Sequence, residues 1–166
     1  VLAALNQTVP AHEIIVVDNM STDLTSAILA ELVSDFPDAP LRVLRQDAEQ
    51  GITPTRNMGF DAVTAEVIGR IDSDSVVEPN WIEATGALFR DVSIDAATGP
   101  VTYYDMPLRR YMALADDSAR KAISRLVKQY HFLFGTNMVL RRSAWIDVRK
   151  DICLDADHEM FEDIDL

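Results

Sequence analysis

The chain has 166 residues, 48% of them hydrophobic and 25% charged, a balance that suits one soluble domain with a buried core. A formal net charge of −12 argues against binding nucleic acid through its phosphates, and no apolar run is long enough to span a bilayer. The single cysteine, Cys153, excludes an internal disulfide and fits a reducing, cytoplasmic compartment; with no activating neighbours it reads as a small apolar residue.

In chain order, Val1-Leu2-Ala3-Ala4-Leu5 reads as the last turns of an amphipathic helix, and Ile14-Ile15-Val16-Val17 as a β-branched strand. Ser21 or Thr22 is expected to cap a helix whose inward face is Leu24, Ala27, Ile28 and Leu32, closed by Phe36-Pro37. Leu41-Arg42-Val43-Leu44 is a second strand. A helix with Thr53 as N-cap and Pro54 in its first position is predicted to run to about Ala65. The strand Val67-Ile68-Gly69-Arg70-Ile71 follows, then a helix from Pro79 through Trp81, Ile82, Leu88 and Phe89. Residues 97–104 read as extended and residues 108–132 as a long helix. Gly135 to Leu140 reads as a last strand, with a short helix around Trp145 after it.

This alternation predicts an α/β fold with a mostly parallel sheet covered by helices on both faces. Ligands of such sheets sit at the carboxyl ends of strands. Two strands here run into aspartate, Val17 into Asp18 and Ile71 into Asp72.

The most informative segment is Ile71-Asp72-Ser73-Asp74-Ser75. Carboxylates two residues apart converge on one cation if the backbone turns as it leaves the strand, and hard oxygen ligands suit Mg²⁺ or Mn²⁺ with positions left for phosphate. A solvated turn is the plain alternative. Asp74 is the expected direct ligand, with Asp72 on the ribose or a metal-bound water. Asp18 suits either a base edge or an Asx turn leading into the next helix. Arg56, in the first turn of a helix preceded by Gly51, suits a diphosphate, or else an ion pair with Asp61 or Glu66. Glu162-Asp163, flanked by apolar residues, suits a general base in a partly desolvated pocket or the acidic start of a helix. Seven of the 27 acidic residues fall in 151–166, interleaved with Leu154, Met160, Phe161, Ile164 and Leu166, a pattern that suits packing rather than a free tail. None of His12, His131 and His158 has a partner at zinc-ligand spacing.

Together these segments resemble the family 2 glycosyltransferases, whose fold is called GT-A. The residues that carry the resemblance are His12 through Asp23 (with Asp18 and Asn19), Gly51 with Thr55-Arg56-Asn57-Met58-Gly59, Ile71-Asp72-Ser73-Asp74, Gly135-Thr136-Asn137, Arg141-Arg142, and Phe161-Glu162-Asp163-Ile164-Asp165-Leu166. The resemblance implies an inverting transferase that moves a sugar from a nucleoside-diphosphate donor, UDP- or GDP-linked, to a hydroxyl of a carbohydrate or lipid-linked acceptor. It implies Asp163 as base beside Glu162. Asp18, Asn19, Gly51, Arg56, Asn57 and Asp72 would bind the donor, Asp74 and Asp72 the cation, and Gly135 and Asn137 would lie on the acceptor side. Met20 stands where the family has a small residue and Thr55 where it has alanine. Residues 1–166 then read as one GT-A-type domain truncated at both ends, without the family's first strand or its C-terminal part, so membrane association would come only through segments outside the chain. Two other readings share the frame. A nucleotidyltransferase should show a glycine-rich phosphate loop with a lysine, which is not seen here; a non-catalytic sugar-nucleotide-binding module needs no base.

Overall fold

The β-branched run at Ile14–Asp18 (β1) and the alternating segment Leu41–Arg45 (β2) pair side by side, parallel, with Ile14 opposite Leu41 and Asp18 opposite Arg45. The computed structural model describes residues 1–102, 111, 118, 133 and 135–151. Within them lie three further strands, Val67–Ile71 (β3), Ala96–Thr98 (β4) and Asn137–Arg141 (β5). The helices are Leu2–Leu5 (α1), Thr25–Asp35 (α2), Ile52–Asp61 (α3), Trp81–Leu88 (α4) and Arg142–Val148 (α5). Apart from Tyr111 and Ser118, which are helical, the helix expected over 108–132 lies outside the described residues, as do the extended residues 103 and 104, Cys153 and the acidic segment beyond 151.

The fold is α/β, but the sheet is only partly parallel. β5 lies between β3 and β4 and runs antiparallel to both. A strand's direction depends on which end of the sheet its connection returns to, and the local apolar pattern of 137–141 carries no record of that. Central placement does match its composition, for Met138, Val139, Leu140 and Arg141 are all buried. The core forms where β3 and β5 meet α3 and α5. Phe60, Ile68, Met138, Leu140 and Trp145 cluster there, with Val63, Leu133 and Val148 against them.

Two helix starts differ from the sequence reading. α2 begins at Thr25, preceded by Leu24, and neither Ser21 nor Thr22 caps it. The Ser26 hydroxyl donates to Asp18 Oδ2 at 2.6 Å, which turns the Ser26–Leu29 side inward. Leu29 is therefore buried while Leu24 and Ile28 are 73% and 53% exposed. Helix α3 starts at Ile52 after Gly51 and ends at Asp61, so Pro54 is its third residue. That position is still in the first turn, where a backbone N–H has no helical acceptor and proline costs nothing.

Arg141 anchors the loop after α4. Its guanidinium donates to the carbonyls of Phe89, Asp91 and Ile94 at 2.7, 2.9 and 2.8 Å, and Nη1 donates to Glu66 at 2.7 Å. Glu13 similarly joins the start of β1 to the turn before β3. Its Oε1 accepts from Thr64 N and Oγ1 at 2.6 and 2.7 Å and from Ala65 N at 3.1 Å.

Candidate active site

β1 and β3 each pair on one side among the described residues, and their other edges border a common cavity of about 710 Å³. Its walls are the apolar residues of those strands with Phe60, Trp81 and Ile82, and Asn19, Arg56, Asp72 and Ser73 also line it. Strand ends, a helix start and an acidic turn thus converge; of the two strand-terminal aspartates Asp72 lines the cavity and Asp18 does not.

Asp18 closes β1 and is 3% exposed. Its Oδ1 accepts the Ser21 N–H at 3.0 Å and its Oδ2 the Ser26 hydroxyl at 2.6 Å. Hydrogen bonds from Ser21 and then Ser26 hold its carboxyl down at about 2, so it stays ionised at any physiological pH. Asp18 thus holds the turn after β1 as the structural alternative required, through the N–H three residues on rather than as an Asx turn leading into a Ser21 or Thr22 cap. Each carboxylate oxygen still has a second acceptor direction, which a base N–H could use. Met20, two residues on, has φ 55°, a left-handed conformation that suits the small residue expected there better than methionine.

Asn19 joins the β1 exit to the start of α3, its Oδ1 accepting the Gly51 N–H at 3.0 Å. Arg56 is buried beside it on α3. Its Nε and Nη2 donate to Asn57 Oδ1 at 3.2 and 3.0 Å, and its guanidinium lies 5.8 Å from the centre of the Trp145 ring. Asp61, considered as its partner, is engaged by Trp145 Nε1 at 2.8 Å and by Arg149, and Glu66 by Arg141.

After β3 the backbone turns, with Ser75 N–H donating to Asp72 O at 3.0 Å. Asp72 Oδ1 is 3.8 Å from Arg70 Nη2, and Asp74 is exposed on the same turn. No group of three or more His, Cys, Asp or Glu gathers around a possible ion among the described residues. Two carboxylates with the hydroxyls of Ser73 and Ser75 nearby are a hard-oxygen set. Such a set fits a Mg²⁺- or Mn²⁺-like cation whose remaining positions go to water and phosphate.

Gly135 is buried just before β5, and Asn137 opens that strand opposite Ile71. Glu162 and Asp163 lie outside the described residues. Sequence reading missed the role of Trp81. The signal was Gly69, since a glycine inside a strand often marks close approach of another group. A Cβ built on Gly69 would lie 2.4 Å from Trp81 Cη2.

A crevice at the carboxyl ends of strands, with a buried arginine and an acidic turn on its walls, is the frame of a nucleotide-binding α/β enzyme. The model of the family described as "Glycosyl transferase family 2" matches residues 1–149, and the chain belongs to that family. It is 34% identical over 101 residues to the glycosyltransferase GlyG of Streptococcus pneumoniae, covering 61% of this chain and 33% of that protein. It is 32% identical over 97 residues to the succinoglycan biosynthesis protein ExoO of Rhizobium meliloti, covering 56% and 27%. The matched stretches are thus about a third of those relatives' lengths or less. The fold is that of the mannosyltransferase PcManGT from Pyrobaculum calidifontis, solved in complex with GDP-Man and Mn²⁺. The TM-score is 0.70 at 19% identity, over 99% of this chain and 44% of that one. The GT-A assignment made from the sequence stands. No helix of the described residues is long and apolar enough to cross a membrane.

Proposed function

We propose that the protein transfers a sugar, with inversion, from a UDP- or GDP-linked donor to a hydroxyl of a carbohydrate or lipid-linked acceptor in envelope polysaccharide synthesis. The observation that carries this reading is the convergence of Asn19, Arg56 and Asp72 on one cavity at the strand ends. Asp18 orients the base through its unused acceptor directions. Arg56, fixed by Asn57 and Trp145, places a permanent cation beside the phosphates. Asp72 and Asp74 hold a divalent cation, Mg²⁺ or Mn²⁺, which when bound supplies Lewis-acid neutralisation of the leaving diphosphate. Asp163, beside Glu162, takes the proton of the acceptor hydroxyl as that oxygen attacks the anomeric carbon; the bond to the diphosphate breaks on the opposite face. Gly135 lies on the acceptor side. The Mn²⁺ and GDP-Man bound to PcManGT favour the same donor and cation class.

Calorimetric titration with UDP and GDP, each with and without Mn²⁺, tests the reading. One nucleotide should bind, and more tightly with the metal. Absence of heat for both nucleotides under both conditions overturns it.

Residues 1–166 belong, on this reading, to one longer GT-A-type domain: the apolar part of the cavity between β1 and β3 takes a further strand of it, and the part lined by Asn19, Arg56, Asp72 and Ser73 at the strand ends is left to the donor. The supporting observations are two strand edges bordering one cavity, the unbroken apolar run of Ile14–Val17, and Val1 and Ala4 of α1 in the cavity wall. A strand entering α1 and continuing into β1 would make a right-handed crossover and lie parallel to β1. In a protein extended before Val1, amide exchange along Val67–Ile71 should slow by at least about tenfold, as expected for edge amides gaining a partner. Unchanged exchange there refutes the placement.

A further inference from the structure

The acidic turn is held at both ends by one residue. Backbone pairing sets Ile71, just before the turn, opposite Asn137. Trp81, which opens the helix after the turn, donates its indole Nε1–H to Asn137 Oδ1 at 2.9 Å. The other half of the same amide, Nδ2, donates to Pro100 O at 3.2 Å. This amide orientation is fixed by chemistry, since an indole only donates and a carbonyl only accepts. The Asn137 carbonyl in turn accepts the Gly99 N–H at 3.1 Å and the Thr98 hydroxyl at 2.9 Å.

Two glycines leave room for this arrangement. The Trp81 ring lies against Gly69, and Asn137 Nδ2 would be 2.2 Å from a Cβ placed on Gly99. A side chain at either glycine would push the indole or the amide out of place. The clearance is thus built from both sides around the same pair.

We infer that Asn137 and Trp81 form a positioning latch. They fix the span of residues 72–80 and so the separation and direction of Asp72 and Asp74. Asn137 thereby serves the reaction through the acidic turn, with its side chain committed inside the protein. The inference rests on the proposal that this turn holds the cation. Pinning both ends of a short loop removes much of its conformational freedom before the ligand arrives, which is how a supporting shell tightens a metal site.

Trp81→Phe is the informative change, because it keeps an aromatic side chain at the position while deleting the N–H donor together with the outer ring that lies over Gly69; Asn137→Ala deletes the acceptor. Each variant should exchange the amides of residues 72–80 faster than wild type in the absence of metal. Each should also lose about tenfold of the Mn²⁺-dependent gain in UDP or GDP affinity, the low end for loss of an outer-shell contact. The readout is the ratio of nucleotide affinities with and without Mn²⁺, because a general loss of structure or of a wall contact would lower both alike. The double variant should be no worse than Asn137→Ala, since both changes break one bond.

Should Asn137→Ala fail to fold, Trp81→Phe carries the test alone. Wild-type exchange and wild-type Mn²⁺ dependence in folded Trp81→Phe overturn the latch, as does an equal fall in affinity with and without metal. If wild type binds neither nucleotide, the proposed function fails and the exchange of 72–80 decides the latch by itself: faster exchange supports it, and unchanged exchange sinks it.

Discussion

Trp145→Ala should lower the free energy of unfolding by about 3–5 kcal/mol, the cost of truncating a large buried aromatic side chain. Trp145 is 1% exposed and meets Phe60 edge to face, with ring centres 5.0 Å apart at 86°. Its Nε1–H is satisfied by Asp61 at 2.8 Å, and the guanidinium carbons of Arg149 and Arg56 lie 5.4 and 5.8 Å from the ring centre. Alanine removes the ring from the centre of the cluster of Phe60, Ile68, Met138 and Leu140 and takes one of two donors from Asp61 Oδ1, leaving Arg149 Nε at 3.1 Å. Against a total stability of roughly 5–15 kcal/mol that is a large fraction. The effect reaches the site as well, because Arg56 loses the ring that helps seat it. Denaturant unfolding of wild type and variant at matched m-values measures the loss. A cost below about 1 kcal/mol, the size of a typical surface change, would show that this cluster is not the core.

Asp163→Asn should cut sugar transfer by about 10²–10⁴-fold, the usual contribution of a positioned general base. Asparagine keeps the size and polarity of the side chain and removes the capacity to take a proton. Affinity for the nucleotide should change little, since on the proposed mechanism Asp163 touches the acceptor hydroxyl and not the donor. Glu162→Gln in parallel tells which of the adjacent carboxylates works as the base. Transfer at the wild-type rate in Asp163→Asn, or a loss confined to Glu162→Gln, would reassign it. The readout is turnover under saturating donor together with separately titrated donor affinity, so that a binding defect and a chemical defect give different patterns.

Much of the frame was legible from residue type. Strand Val67–Ile71 has the bounds its apolar run suggested. β1 and β2 extend one residue beyond theirs, and α4 is present but begins at Trp81 rather than Pro79 and ends at Leu88, one residue short of Phe89. Short β-branched runs between polar turns leave little choice of register with their surroundings. The helix faces were less legible. For α2 the apolar spacing of Leu24, Ala27, Ile28 and Leu32 pointed one way, and a single hydrogen bond from Ser26 to buried Asp18 set another. That bond spans only eight residues, but a periodicity of apolar positions does not register a serine–aspartate pair, and the pair outweighs a weak amphipathic pattern. Arg56 was expected near phosphate; that it is buried against Trp145, 89 positions away in the chain, could not be read from its own neighbourhood.

Sequence alone determined the family, the α/β class and the identity of the polar groups at the strand ends. These follow from local propensity and from several short segments occurring in a given order. Only the tertiary structure decided that β5 runs antiparallel between β3 and β4, and that Asn137 spends its amide on Trp81 and Pro100. It also decided that Asn19, Arg56 and Asp72 share one cavity. The physical reason is range. Propensity and periodicity act over a few residues, whereas strand direction, burial and side-chain pairing are settled by chain-distant groups competing for the same space.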